Sequence, residues 1–483
     1  MKRLVFPLML ILISARASSM VVISSKTTPV LSQSNFALPH ETYKLIGSFD
    51  LNNQNIVLPF NCKLIVKKSV IANGVLVGDN TSLKAKKAVA FSNVRLEGTW
   101  CGHIDDRNFA YEIDGKNHYD IVASLLKFNN VSFSREKYYI NSFNKIYLNS
   151  GNVNIDGHGT TWIFCPDKGP IKSTDWGDKY VGESFVSSSG QDGSTIEIKN
   201  INIIDNELNH PVIYYYFYLC NSFIRLKNVN STGCGGLLGG YNTRLSMKGI
   251  EIENCTVVTS NFAVELANRT VSNSNGTNEN VHISNCSFHR FPNAMFVGPI
   301  SLVGDSGSLK KAIIENSTFV EEKVGNIELS GVGEVQYMKN EMTNVFLYSG
   351  SNPPIKMECR QCKFILKQPA PDASYVLQVA ARTVLIENNK FLIESSFFPR
   401  IDLLYPDQTE SFSFINNEIR YEPQTSGKHM QYLFSFPSIR GTFTMKSNSV
   451  VTNCQQLQFR NNYPKKHGEF EDPFEGKTKN DFI

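Results

Sequence analysis

The sequence predicts an all-β protein: a single-stranded, right-handed parallel β-helix with a capping helix near its N-terminus. Three observations lead there. A unit recurs every 22 to 31 residues, apolar side chains within it alternate with a period of two, and an Asn stands where the alternation breaks. Aligned on that Asn, the copies read "IEIKNINI" at Asn200, "IRLKNVNS" at Asn228, "IEIENCTV" at Asn254, "VHISNCSF" at Asn285, "AIIENSTF" at Asn316, "VLIENNKF" at Asn388 and "FSFINNEI" at Asn416. Weaker copies place Lys339, Gln361 and Ser447 at the same position. A unit of this length means a solenoid or array, and its period of two makes the units strands. No stretch of 3.6 periodicity recurs, which excludes helical repeats, and a propeller needs about 40 residues and four strands per blade.

The stacking of such coils assigns each residue a direction. Successive coils lie about 4.8 Å apart, so equivalent side chains form columns. Ile250 and Ile252 should face inward and stack on Val281 and Ile283, with Glu251 and Glu253 facing water. The Asn tolerates left-handed backbone, and its amide suits an inward ladder along Asn200, Asn228, Asn254, Asn285, Asn316, Asn388 and Asn416. On that reading "NCT", "NCS" and "NST" at Asn254, Asn285 and Asn316 are ladder positions rather than glycosylation sites. Phe288, Phe319 and Phe391, three residues on, re-enter the core.

The elements follow in chain order. Residues 1–17 combine basic Lys2 and Arg3, the apolar run Leu4 to Ile13 and an Ala15-Arg16-Ala17 site, the pattern of a cleavable export signal. The run is too short to span a bilayer, and no later segment is apolar enough. The expected location is periplasmic, outer-surface or extracellular. Removing that segment lowers the formal charge from +4 to +1, which gives no warrant for a nucleic-acid partner. Residues 18–41 read as a linker and 42–104 as a β-rich leader. Residues 105–164 read as a module whose helix puts Ile121, Val122, Leu125 and Leu126 on one face, after a start like a capping box at Asn117 and Asp120. The solenoid runs over 165–460, and 461–483 reads as a loose, charged tail. The ten Cys are irregularly spaced, several inside the repeat where a small buried hydrophobe serves. "CRQC" at Cys359 to Cys362 lacks partners at metal-ligand spacing, so neither a metal nor a cofactor is expected.

"FAYEIDGKNHYDIVASLLKF", "VSFSREKYYI" and "IYLNSGNVNIDGHGTTW" together resemble the N-terminal module of the pectate-lyase-like β-helix superfamily. Phe109, Asp114, Gly115, Asp120, Tyr139, Gly157 and Gly159 carry the match, while the Gly after Phe and the Pro and Gly of the strand are missing. The segment before it is similar to a leader on exported β-helix proteins of gut Bacteroidetes-type bacteria. The resemblance covers roughly residues 45–455. It implies the fold, and it implies polysaccharide as the partner, since enzymes of this superfamily cut or bind glycans along the outside of the stack. It does not supply a catalytic signature. After "IIDN" the next turn has "TGCGG" where the superfamily's hydrolases carry Asp-Asp, and "GHG" at Gly157 to Gly159 sits early, where it makes a turn.

Two clusters are candidate sites. Residues just after the Asn turn bring Asp205, His289, Arg290 and Glu321 toward one edge. Neighbouring coils would set His289 beside Glu321 as an acid–base pair, with Arg290 free to bind a sugar carboxylate. The second is "DNELNHPVIYYYFYLCNSF", where Glu207, His210, Tyr214, Tyr216 and Tyr218 would form a sugar-binding platform if alternation buries Tyr215 and Phe217. A third cluster, "GTWCGHIDDR" with His103, Asp105 and Asp106, reads as a turn. Two functions stand open: a hydrolase or lyase acting on an extended glycan, and a non-catalytic β-helix that binds glycan or another surface.

Overall fold

The computed structural model describes residues 19–86, 88–110, 117–142, 144–165, 182–188, 193–205, 213–233, 235–241, 249–268, 278–291, 298–304, 309–349, 353–367, 375–394, 400–403, 409–421, 431–435, 441–452, 457–460 and 468–470. Of the described residues 67% are strand and 4% helical, and the strand pairings are parallel, as a β-helix requires. It divides into two units, residues 1–111 and 112–483.

In the first unit the strand Met20–Ser24 pairs with Thr42–Asp50, so residues 18–41 are not a bare linker. Its coils stack Tyr43 on Leu64 and Leu64 on Leu83, all buried. The turns use left-handed Asn52, Asn61, Asn73, Asn80 and Asn93. Asn93 donates to Asn73, and Asn73 to Asp50, an amide ladder across three coils. Asp105 closes this unit by capping a short 3-10 turn, Asp106–Asn108, and is held by Arg107. Burial opposes its charge, but the hydrogen bonds from Arg107 outweigh burial and bring its carboxyl down to about 2.

The second unit opens on the helix Tyr119–Leu125, which buries Val122 and Leu125, with Leu126 buried just beyond it. Its start differs from the expected capping box. Asn117 accepts from the Tyr119 N–H, but His118 is the N-cap residue and its Nδ1 accepts from the Tyr139 N–H. The strands that follow, Phe128–Ser132 and Lys137–Ile140, already pair with Val153–Phe164, so the solenoid begins upstream of residue 165. At the far end Gly468–Phe470 still pairs with Thr442–Lys446.

A representative coil has three strands: Ile250–Glu253, Thr256–Thr259 and Val264–Asn268. The first two meet at the aligned Asn. Every aligned position is left-handed, with φ between 50 and 58° at Asn200, Asn228, Asn254, Asn285, Asn316, Lys339, Gln361, Asn388, Asn416 and Ser447. Ile250 and Ile252 pair with Val281 and Ile283, all at most 1% exposed. Phenylalanines stack along the second strand: Phe288 on Phe319 with centroids 5.0 Å apart, and Phe364 on Phe391 at 4.9 Å.

The ladder, however, runs one residue later than expected. The side chains of Asn254, Asn285, Asn316, Asn388 and Asn416 are exposed, and the inward position belongs to the next residue. That column holds Cys255, Cys286, Ser317, Asn340, Cys362, Asn389, Asn417 and Asn448, all at most 3% exposed. Asn389 Nδ2 donates to Asn417 Oδ1 at 3.0 Å, and Asn417 Nδ2 to Asn448 Oδ1 at 3.1 Å. The same oxygens accept the backbone N–H of Asn389 and Asn417. A left-handed residue turns the chain so that its own side chain points to solvent. Of the seven, Asn200 and Asn228 do bond to each other, but on the outside, in a run that starts at Asp156. The amides of Asn254, Asn285 and Asn316 therefore lie on the outside of the coils.

Candidate functional site

The left-handed turn fixes which way each following residue faces. The first, third and fifth residues after it point in, and the second and fourth point out. Asp205, Arg290 and Glu321 are fifth residues, and His289 is a fourth. Asp205, Arg290 and Glu321 are accordingly buried, at 1%, 2% and 4% exposure. They belong to one interior column through Phe164, Asp205, Gly233, Thr259, Arg290 and Glu321. His289 faces outward in register with Val258 and Val320, so the expected His289–Glu321 pair does not form. Glu321 instead meets Arg290, with Nη1 3.3 Å from Oε2. Burial raises the Glu321 carboxyl to about 8, more than the neighbouring guanidinium lowers it. Burial also lowers Arg290 from its usual range. Sealed in the core, Arg290 cannot receive a sugar carboxylate, and this column serves the fold.

The tyrosine platform is placed in part. Tyr216 is 1% exposed and packs inward with its ring 5.5 Å from that of Phe164, so it leaves the expected set. Tyr214 and Tyr218 are half-buried and face outward, while Glu207 and His210 lie outside the described residues. Tyr215 is buried as well, at 4% exposure, so it joins Tyr216 outside any surface a ligand could reach. Its ring lies over Gly236 and Gly239 of the next coil, where any Cβ would strike it. The rings of Tyr214 and Tyr215 meet edge-on at 4.4 Å, and those of Tyr215 and Tyr218 lie 6.4 Å apart.

The Tyr214 and Tyr218 rings border a column that the sequence reading missed. Outward residues of the third strand run in register through Tyr147, Ser187, Tyr218, Gly239, Glu265, Ser301, Glu328, Tyr348 and Gln378. The strands "VEL" and "IEL" bury Val264 and Leu266, then Ile327 and Leu329, which turns Glu265 and Glu328 outward. Between the two lies Ser301, only 4% exposed although it is on the outer face. Tyr214 donates its hydroxyl to Glu265 Oε2 at 3.4 Å, and Asn261 Nδ2 holds the Tyr214 carbonyl at 2.8 Å. Burial raises the Glu328 carboxyl above the ordinary range, and the Ser330 hydroxyl beside it works in the opposite direction. Glu265 and Glu328 are two coils apart, about 9.6 Å of backbone. Their reach overlaps the carboxyl spacing of about 6.5–9.5 Å used by inverting glycosidases.

Cys359 and Cys362 are buried in the core on either side of the Gln361 turn. Among the described residues no group of three or more His, Cys, Asp and Glu could hold a metal ion. No helix among them is long and apolar enough to cross a membrane. Comparison with known proteins finds no matching family model, no matching curated protein and no matching solved structure.

Proposed function

We propose that this protein is an exported glycan-active β-helix, hydrolysing an extended polysaccharide laid along the outer face of the third strands. The observation that carries the reading is the register column that sets Glu265 and Glu328 two coils apart, with Tyr214 and Tyr218 before them and Tyr348 after. Flat rings with polar tips suit sugar faces. Glu328, with its raised carboxyl, donates a proton to the glycosidic oxygen as the C–O bond breaks. Glu265 takes a proton from the water that attacks the anomeric carbon, so one water is consumed and both carboxyls exchange one proton. The resemblance of the N-terminal module to the pectate-lyase-like superfamily and the export-type segment 1–17 support a glycan partner outside the cell.

A non-catalytic glycan binder is the second reading, favoured by the length of the tyrosine-lined column. The test is a panel of glycans incubated with the purified chain, read for new reducing ends and for absorbance at 235 nm. Hydrolysis gives reducing ends alone, and both Glu265→Gln and Glu328→Gln abolish them. Binding without products, unchanged in the two variants, selects the binder. Reducing ends that persist in both variants reject this site.

A further inference from the structure

The third-strand face differs from the first-strand face of the same coils in its charge. The first-strand face carries paired cations and anions, such as Arg225 with Glu251 at 2.8 Å and Lys227 with Glu253 at 2.9 Å. On the third-strand face, the outward positions from Tyr218 to Gln378 hold two carboxylates, a serine and a glutamine beside the tyrosines. Among the described side chains of that column and of the outward positions flanking it, such as Asn326, Phe346, Val303 and Ser330, there is no Lys or Arg. Arg290, which precedes Ser301 in the chain, is 2% exposed inside the core and faces Glu321, and exposed Arg382 stands beyond the end of the strand that carries Gln378.

Resting on the glycan reading above, we propose that this face selects glycans that carry no negative charge and rejects polyuronides. A uronate chain in the column sets a carboxylate within one or two coil spacings, about 5–10 Å, of Glu265 and Glu328. At that range like charges repel, and at a partly desolvated surface water screens them weakly. A neutral chain meets the Tyr218 and Tyr348 rings and the Gln378 amide with no such cost. Burial already makes the charged form of Glu328 unfavourable, and a second negative charge beside it adds to that. A chain without a carboxylate at C5 has no acidified proton there, so β-elimination is unavailable and hydrolysis is the cleavage left.

The test uses chemically matched probes: β-glucan, galactan and mannan, each beside its C6-oxidised uronate form, titrated onto the full chain by calorimetry at neutral pH. At least one neutral form is expected to bind about tenfold or more tightly than its oxidised partner. Raising salt should narrow the gap, because the penalty is electrostatic. Glu265→Gln and Glu328→Gln should each narrow the gap between the neutral and the oxidised form. Tighter binding of an oxidised form, with or without added calcium, overturns the charge inference and leaves a glycan site standing. A gap that neither salt nor the two Gln variants narrows also overturns it. Failure of every probe to bind, with Tyr218→Ala and Tyr348→Ala indistinguishable from the parent, overturns the glycan reading itself.

Discussion

Asn416 and Asn417 are neighbours with opposite jobs. Asn416 is exposed at φ 55°, and its side chain helps only by tolerating left-handed backbone. Asn417 is 1% exposed; its Oδ1 accepts from Asn389 Nδ2 and from the Asn389 N–H, and its Nδ2 donates to Ile386 O and Asn448 Oδ1. Asn417→Ala strands several buried groups at about 1–3 kcal/mol each. Asn416→Ala meets only the left-handed penalty of about 1–2 kcal/mol, and Asn416→Gly escapes it. Denaturant unfolding should therefore rank Asn417→Ala well below Asn416→Ala, with Asn416→Gly near the parent; equal losses would place the ladder back on the turn residue. The Arg290–Glu321 pair has a similar asymmetry. A glutamate deprived of its arginine can neutralise itself by taking a proton, whereas a guanidinium stays charged. Glu321→Met takes the acceptor from a buried guanidinium that stays charged and should destabilise more than Arg290→Met, which leaves a carboxyl already protonated below about pH 8.

Within a coil, much of the first two strands was legible and the third was not, for a physical reason. The left-handed Asn anchors the register on both sides, so inward and outward positions follow from counting. That count already separates His289 from Glu321, but the charge of the side chains suggested an exposed edge, and a six-coil interior that admits Asp205, Arg290 and Glu321 has no pattern in composition. The third strand floats. Its outward residue comes 11 positions after Asn254 at Glu265, 16 after Asn285 at Ser301, 12 after Asn316 at Glu328 and 9 after Lys339 at Tyr348. Loops of unequal length between second and third strands thus hide a column that is straight in space. Tyr215 escaped for another reason: its ring is accommodated by two glycines of the next coil, a contact visible only once the coils are stacked. Gly239→Val drives a side chain into that buried ring. The expected outcome is a thermal midpoint below the parent's, overpacking costing about 1–3 kcal/mol. An unchanged midpoint would show that the Tyr215 ring does not rest on the glycine.

Over the whole molecule, two carboxyls lean the same way. Glu321 titrates at about 8 when folded and near its ordinary value of 4.5 when unfolded. Between those values the folded chain holds a proton that the unfolded chain has lost, so stability is full below about 4.5 and declines as pH rises to about 8. Each pH unit in that window removes up to about 1.4 kcal/mol for one proton. Glu328, raised by burial, adds a decline of the same sign. Glu321→Gln keeps an acceptor for Arg290 and removes the titration. Thermal unfolding followed by circular dichroism at pH 5, 6.5, 8 and 9 should show the parent midpoint falling from pH 5 to pH 8, and that fall largely flattened in Glu321→Gln. A variant as pH-dependent as the parent would exclude the interior pair as the cause. Activity and stability can be told apart with the same two positions, because Glu321 lies inside the coil and Glu328 outside. If Glu328 is the proton donor, glycan cleavage is lost as pH rises through its raised value even in Glu321→Gln, where the fold no longer weakens. An alkaline limb that disappears in Glu321→Gln would instead trace to unfolding and take the proton from Glu328.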